Sequence, residues 1–234
     1  MHIAGLQKMT LLDFPGRVAC TVFLQGCNFR CPFCHNSSLL PAAGEVLMED
    51  TELLAFLKKR KGLLDGVCVT GGEPTLQKEL PQLLKAIKEL GYAVKLDTNG
   101  GRPQVLREVV EAEVVDYVAM DIKNSPARYG QTAGNTALLP GVTESIRFLL
   151  SDKVDYELRT TVVEGLHDET SILEMGQWIQ DMGGKKAKRW YLQSYMDRDS
   201  VLTPGLSAPT EEKMQQYAEI LAPFGELVSL RGVE

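Results

Sequence analysis

Cys27, Cys31 and Cys34 fall within eight residues, in the run Gly26-Cys27-Asn28-Phe29-Arg30-Cys31-Pro32-Phe33-Cys34-His35-Asn36. Thiolates at this spacing can hold three corners of a cubane iron-sulfur cluster. The segment has no fourth cysteine, so the fourth iron of such a cluster would keep an open position able to bind a substrate. Other chemistries use the same residues. Cys31-Pro32-Phe33-Cys34-His35 matches the attachment pattern of c-type haem, a modification that goes with export, whereas Met1 to Pro15 lacks the features of a signal peptide. Zinc could take Cys27, Cys31, Cys34 and His35, although structural zinc sites usually draw their ligands from two separated knuckles. A redox dithiol at Cys31 and Cys34 would leave Cys27 without a purpose.

The rest of the composition bounds the setting. Cys20 and Cys68 sit in apolar runs and read as small buried hydrophobes. With 44% hydrophobic and 24% charged residues over 234 positions, the chain reads as an ordinary globular protein, expected to be one domain. A net charge of -6 argues against a phosphate-neutralising surface over the whole protein, and so against nucleic acid as a partner. No stretch approaches the length of an apolar membrane span, so no membrane role is expected and the cytoplasm is the expected compartment.

Elements must position the cysteines. Apolar, β-branched runs recur at Val18 to Leu24, Gly66 to Thr70, Ala93 to Leu96, Val115 to Ile122, Glu157 to Val163 and Trp190 to Gln193. Helical periods lie at Glu49 to Lys61, Leu76 to Leu90, Val105 to Ala112, Thr143 to Ser151, Thr170 to Met182 and Thr210 to Leu221. Such alternation requires parallel strands joined by right-handed crossovers, with helices outside the sheet. Six units are too few for a closed eight-unit barrel. The expected fold is α/β: a partial, laterally open (β/α)6 barrel, with a core over about 16–195 and a helix and strand extension over about 196–234, although the periodicity alone also allows an open doubly wound sheet. The cysteine segment directly follows the first strand, where parallel α/β folds present their ligand sites. Residues 124–141 read as a connector long enough to cover or flank a site. His2 and His167 read as isolated surface residues, Trp190 and Tyr191 as core, and Lys185-Lys186-x-Lys188-Arg189 as a solvated turn.

The run from Gln25 to Asn36 resembles the radical S-adenosylmethionine (SAM) superfamily, in which an aromatic residue such as Phe33 commonly precedes the third cysteine. Asp13-Phe14-Pro15-Gly16 and the run Phe23 to Pro32 are similar to the activating proteins of anaerobic ribonucleoside-triphosphate reductase and, more distantly, of pyruvate formate-lyase. The likeness spans roughly residues 10 to 195. It implies a [4Fe-4S] cluster on Cys27, Cys31 and Cys34, with Phe33 and His35 beside the cofactors. It also implies that the turn Gly71-Gly72-Glu73 meets the amino group of SAM. Asp97-Thr98-Asn99 and Asp121-Ile122-Lys123 would line the SAM site, the two aspartates holding a monovalent cation, and Arg159 would meet the SAM carboxylate. Gln193 stands where the pyruvate formate-lyase activases carry a histidine, a departure from that branch.

The chemistry implied is reductive cleavage of SAM, with an electron from a flavodoxin or ferredoxin-like donor. The 5'-deoxyadenosyl radical would then take a hydrogen from a glycine of a partner enzyme, here anaerobic ribonucleotide reductase. Only Cys68 lies downstream of the cluster motif, which leaves no set of cysteines for an auxiliary cluster. Two other readings share the motif: a radical SAM enzyme acting on a small molecule, similar to 7-carboxy-7-deazaguanine synthase, and an iron-sulfur electron carrier.

Overall fold

The computed structural model describes residues 3–44, 46–198 and 200–233, so His2 lies outside the described residues. Eight strands form one sheet in chain order: β1 (Ile3–Thr10), β2 (Ala19–Leu24), β3 (Gly66–Gly71), β4 (Ala93–Thr98), β5 (Tyr117–Asp121), β6 (Asp155–Val162), β7 (Ala187–Ser194) and β8 (Gly225–Arg231). β1 runs antiparallel to β2, and every later neighbour pair is parallel. β1 and β8 end the order without pairing to each other, so the sheet curls into a laterally open partial barrel. The expected six parallel strands are β2 to β7, and β1 and β8 extend them at the two edges.

The helices α1 (Asp50–Lys59), α2 (Leu80–Glu89), α3 (Pro103–Glu111), α4 (Tyr129–Ala133), α5 (Leu139–Leu149), α6 (Glu169–Asp181) and α7 (Glu211–Leu221) lie between strands. Their faces follow the helical period. In α2 the buried residues are Leu80, Leu83, Leu84 and Ile87, one stripe at steps of three and four. Burying each contributes roughly 2 kcal/mol of hydrophobic stabilisation before chain entropy is counted. The periodicity starts this helix four residues early: residues 74–76 form a 3-10 turn, and Pro81 sits in the first turn of α2. α5 starts earlier than its apolar period, because Pro140 fits a first helical turn rather than a loop.

Several residues stand elsewhere than their sequence context suggests. His167 is buried, 3% exposed, because the turn after β6 folds it inward. Its Nδ1 accepts from the Val163 N–H at 3.1 Å, which leaves Nε2 to donate to the Lys123 carbonyl 2.9 Å away. Burial lowers the pKa of the ring, consistent with this neutral tautomer. Trp190 is core, its Nε1 donating to Thr160 Oγ1, but Tyr191 is half-buried at the rim of a cavity. The basic run, expected as a solvated turn, enters β7 with Lys188 and Arg189 and pairs within the chain: Lys185 and Lys188 reach Asp152, and Arg189 reaches Asp155. Cys20 and Cys68 are buried as expected, and burial pushes the Cys20 thiol up to about 12. No helix among the described residues is long and apolar enough to cross a membrane.

Candidate functional site

Parallel strands place their carboxyl ends, and the loops that follow, on one rim of the barrel. There Cys27, Cys31, Cys34, Phe33, His35, Gly71, Gly72, Glu73, Asp97, Thr98, Asn99, Asp121, Lys123 and Arg159 line a single cavity of about 270 Å³. Residues spread over more than 130 positions are thus gathered by the ends of β2 to β6. Gln193 lines a neighbouring cavity with Tyr191 and Arg231.

The cysteine segment is held from three sides. Gly26 N–H donates to Leu39 O and Cys27 N–H to Leu40 O. From the connector after β5, Ala133 O accepts the Arg30 N–H at 2.9 Å and Asn135 Nδ2 donates to Asn28 O at 3.2 Å. The connector therefore flanks the site, and it does so through α4, which ends on Gly134 with φ of +67°. A Cβ on Gly134 would lie 2.8 Å from Arg30 O. On the third side, Thr203 N–H donates to Pro32 O, and His35 stacks on Tyr195 while its Nε2 pairs with Met196 O at 2.7 Å. Cys31 is buried and Cys27 and Cys34 are half-buried. Burial pushes the Cys31 thiol up to about 12 and raises that of Cys27. Thiols so placed stay neutral unless a metal takes them as thiolates.

The Gly71-Gly72-Glu73 turn serves the cysteine loop through its backbone. Gly71 has φ of +126°, and a Cβ there would lie 2.3 Å from Leu24 N. A Cβ on Gly72 would lie 2.1 Å from Gly26 O, the carbonyl beside Cys27. The glycines are required by this backbone approach, beyond any approach to a ligand. Glu73 is fully buried. Its Oε1 accepts from Thr75 N, Thr75 Oγ1 and Thr98 Oγ1, and its Oε2 from Asn99 N at 2.7 Å. The carboxylate thus ties β3 to β4, although burial still raises its pKa against those donors. Asn99 Nδ2 in turn donates to Asn28 Oδ1 at 2.7 Å and lies 4.0 Å from Cys27 Sγ.

Five charges alternate across the floor. Asp97 binds Lys95 through Oδ1 and the Arg159 Nη1 through Oδ2, and Asp121 binds Arg159 Nε at 3.0 Å and Lys123 Nζ at 3.0 Å. Burial would raise the Asp121 pKa, but Arg159 and Lys123 hold it at about 2. Arg159 and Lys95 hold Asp97 below the usual range against the same effect of burial. All four carboxylate oxygens already face protein cations, so a monovalent ion here would share those oxygens with Lys95, Arg159 and Lys123. Of the three cations, Arg159 and Lys123 line the cavity with the thiols, and Lys123 also lies 5.9 Å from the centre of the Phe33 ring.

The sequence profile of the radical SAM superfamily matches residues 21–172. The chain belongs to the radical SAM superfamily. It is 26% identical over 238 positions to a Methanocaldococcus jannaschii protein provisionally named a glycyl-radical enzyme activating enzyme, covering 99% of this chain and 96% of that one. It is 28% identical over 252 positions to the Escherichia coli pyruvate formate-lyase 1-activating enzyme, covering 97% of each. A crystallised domain of a Bacteroides vulgatus pyruvate-formate lyase-activating enzyme superposes with a TM-score of 0.57 at 23% identity, over 71% of this chain and 99% of that one. At that identity it speaks for the fold.

Membership of the radical SAM superfamily implies a [4Fe-4S] cluster and SAM. The residues present fit both groups: three thiols share one cavity with the Arg159 guanidinium, the Lys123 ammonium and a glycine turn. Sequence reasoning missed the roles of Lys95, Asn28 and His167, which steady Asp97, Asn99 and the Lys123 backbone. Lys95 had a signal: a lone lysine between Val94 and Leu96, two residues from Asp97 on the same face of a strand.

Proposed function

We propose that this chain is a glycyl-radical activase: Cys27, Cys31 and Cys34 hold a [4Fe-4S] cluster, SAM binds beside it, and the partner is anaerobic ribonucleoside-triphosphate reductase. What carries this reading is that the thiols, the Gly71-Gly72-Glu73 turn and the Asp97, Arg159 and Asp121 array line one cavity. Similarity over almost the full length of two proteins named as activases adds to it. When bound, the cluster and SAM supply a one-electron cleavage that gives a 5'-deoxyadenosyl radical, able to take hydrogen from a glycine Cα.

The protein's own residues position and shield that chemistry. The fork of Arg159 offers its remaining N–H groups to the SAM carboxylate, and the aspartates fix its plane. Glu73 acts at one remove, holding the turn and Asn99 against the cysteine loop. Cys27 and Cys34 are half-buried, so a cluster held on them would be within reach of an electron from a flavodoxin or ferredoxin-like protein of the cytoplasm. Buried Phe29, Phe33 and Leu40 line the same cavity and would exclude water from it.

The test is anaerobic reconstitution, with about four iron and four sulfide per chain expected, followed by reduction and incubation with SAM and the reductase. An EPR doublet on the reductase, from a glycyl radical coupled to its remaining α-hydrogen, is the expected result. Stoichiometric zinc or covalent haem in place of iron, or SAM cleavage driven by a small metabolite with no radical on the reductase, would overturn the reading.

A further inference from the structure

Lys95 differs from the other two cations of the floor. It does not line the cavity with the thiols but a neighbouring one of about 700 Å³, two residues before Asp97 on the same face of β4. It is only 2% exposed. A buried ammonium is costly unless it is paired, and among the described residues Lys95 has one carboxylate partner, Asp97, through Oδ1. Its next neighbour is Cys68 Sγ at 3.7 Å. The other carboxylates lining its cavity are engaged elsewhere. Glu157 accepts from Arg231 through both oxygens, Asp13 accepts from Thr21 Oγ1, and Asp121 binds Arg159 and Lys123. Burial would lower the Lys95 pKa, but its neighbours, Asp97 first, hold it above the ordinary lysine value, so the group stays charged.

The consequence falls on Arg159. With Oδ1 of Asp97 held by Lys95, Oδ2 is left for Arg159, which gives it an N–H from Nη1 at 3.1 Å and gives its Nε–H to Asp121 Oδ1 at 3.0 Å. The fork is thus shared between two aspartates, and the hydrogens of Nη2 remain for a ligand. Were Oδ1 free, a guanidinium could take both oxygens of Asp97 in the bidentate geometry it favours, turning from Asp121 and from the ligand. A sodium or potassium ion could occupy Oδ1 in place of the ammonium. Added to the ammonium, it would be a fourth cation around two carboxylates and would meet three like charges at close range.

We propose that Lys95 is a positioning residue for SAM: its ammonium is the built-in counter-ion of Asp97, standing where an inorganic monovalent cation would otherwise be needed, so that SAM binding by this chain is independent of sodium and potassium. This rests on the reading that SAM binds at Arg159 and adds the residue that keeps Arg159 oriented. It does not depend on which partner receives the radical.

The test is calorimetric titration of reconstituted, unreduced protein with SAM in choline, sodium, potassium or ammonium chloride at one ionic strength. Wild type should bind SAM equally in all four. Lys95→Met keeps the length of the side chain and removes its charge. It should bind SAM about tenfold more weakly in choline chloride and recover in potassium or ammonium chloride. Iron content reports whether the variant is folded, and if Lys95→Met loads no iron, Lys95→Gln takes its place. Wild-type affinity that climbs when choline is replaced by sodium or potassium overturns the proposal. So does a folded variant that binds SAM as wild type does in choline chloride, and so does a loss that no cation restores, since a merely structural lysine would give that result. Failure of wild type to bind SAM in any salt would instead remove the SAM site itself, and absence of a radical on the reductase would remove the activase reading while leaving this one standing.

Discussion

Glu73 offers the sharpest separation between a residue that holds the site and one that touches the ligand. Replacing it with glutamine keeps the shape and changes one oxygen to an NH₂. With the amide oxygen at the Oε1 position, the three donors from Thr75 and Thr98 remain served, but the NH₂ faces the Asn99 N–H across 2.7 Å. Flipping the amide sets the NH₂ against the Thr75 N–H instead, while the two threonine hydroxyls can turn to accept from it. One charge-assisted bond is lost, at about 1.5–3 kcal/mol, and a fully buried donor is orphaned, at about 1–3 kcal/mol. We expect Glu73→Gln to lose roughly 3–5 kcal/mol, a fall in Tm of roughly 6–20 °C for a chain of this size. Anaerobic thermal unfolding by circular dichroism reads the first effect, and calorimetric titration with SAM on the surviving folded protein reads ligand affinity. If the melting temperature is unchanged while SAM affinity collapses, Glu73 faces the ligand and the hydrogen-bond reasoning is wrong.

The other expectations concern the same floor. Arg159→Ala should retain iron yet weaken SAM binding by about 1.5–3 kcal/mol, the cost of a lost charged hydrogen bond; unchanged affinity in titration would contradict the role of Arg159. Gly72→Ala forces a Cβ to within 2.1 Å of the Gly26 carbonyl, so iron bound per chain should fall well below that of wild type, and full loading would refute the backbone account. Asp121 titrates at about 2 when folded, below the ordinary aspartate value of about 4, so its contribution to stability is present above that value and lost as pH falls through the window to 2. Asp121→Asn should therefore flatten the dependence of unfolding free energy on pH between about 4 and 2; an identical slope would show that Arg159 and Lys123 do not hold this carboxylate.

The parallel strands were legible because both faces are covered, which writes them as continuous apolar runs such as Val67 to Val69 and Val118 to Met120. β1 was not. It is an antiparallel edge strand with two register shifts against β2, so its buried ends, Ile3 and Thr10, sit at no regular alternation. The cysteines were legible from spacing alone, and the turn and strand-end residues from their place behind it. Their division of labour was not. Glu73 and Asn99 bond to other parts of the protein, and the oxygens of Asp97 and Asp121 are occupied by cations that lie two or more positions away in sequence or on other strands. Tyr191 and His167 exchanged expected places because exposure there depends on β8 and on the turn after β6, long-range features that a local pattern does not encode.

The most direct test of the central claim follows a single hydrogen atom. Reductase whose radical-forming glycine carries deuterium at Cα is mixed anaerobically with the reduced, SAM-loaded activase, and the 5'-deoxyadenosine released is examined by mass spectrometry. The account predicts one deuterium in the 5'-deoxyadenosine, in step with growth of the glycyl-radical doublet. Unlabelled 5'-deoxyadenosine with no radical on the reductase, under conditions where SAM is cleaved, would contradict it.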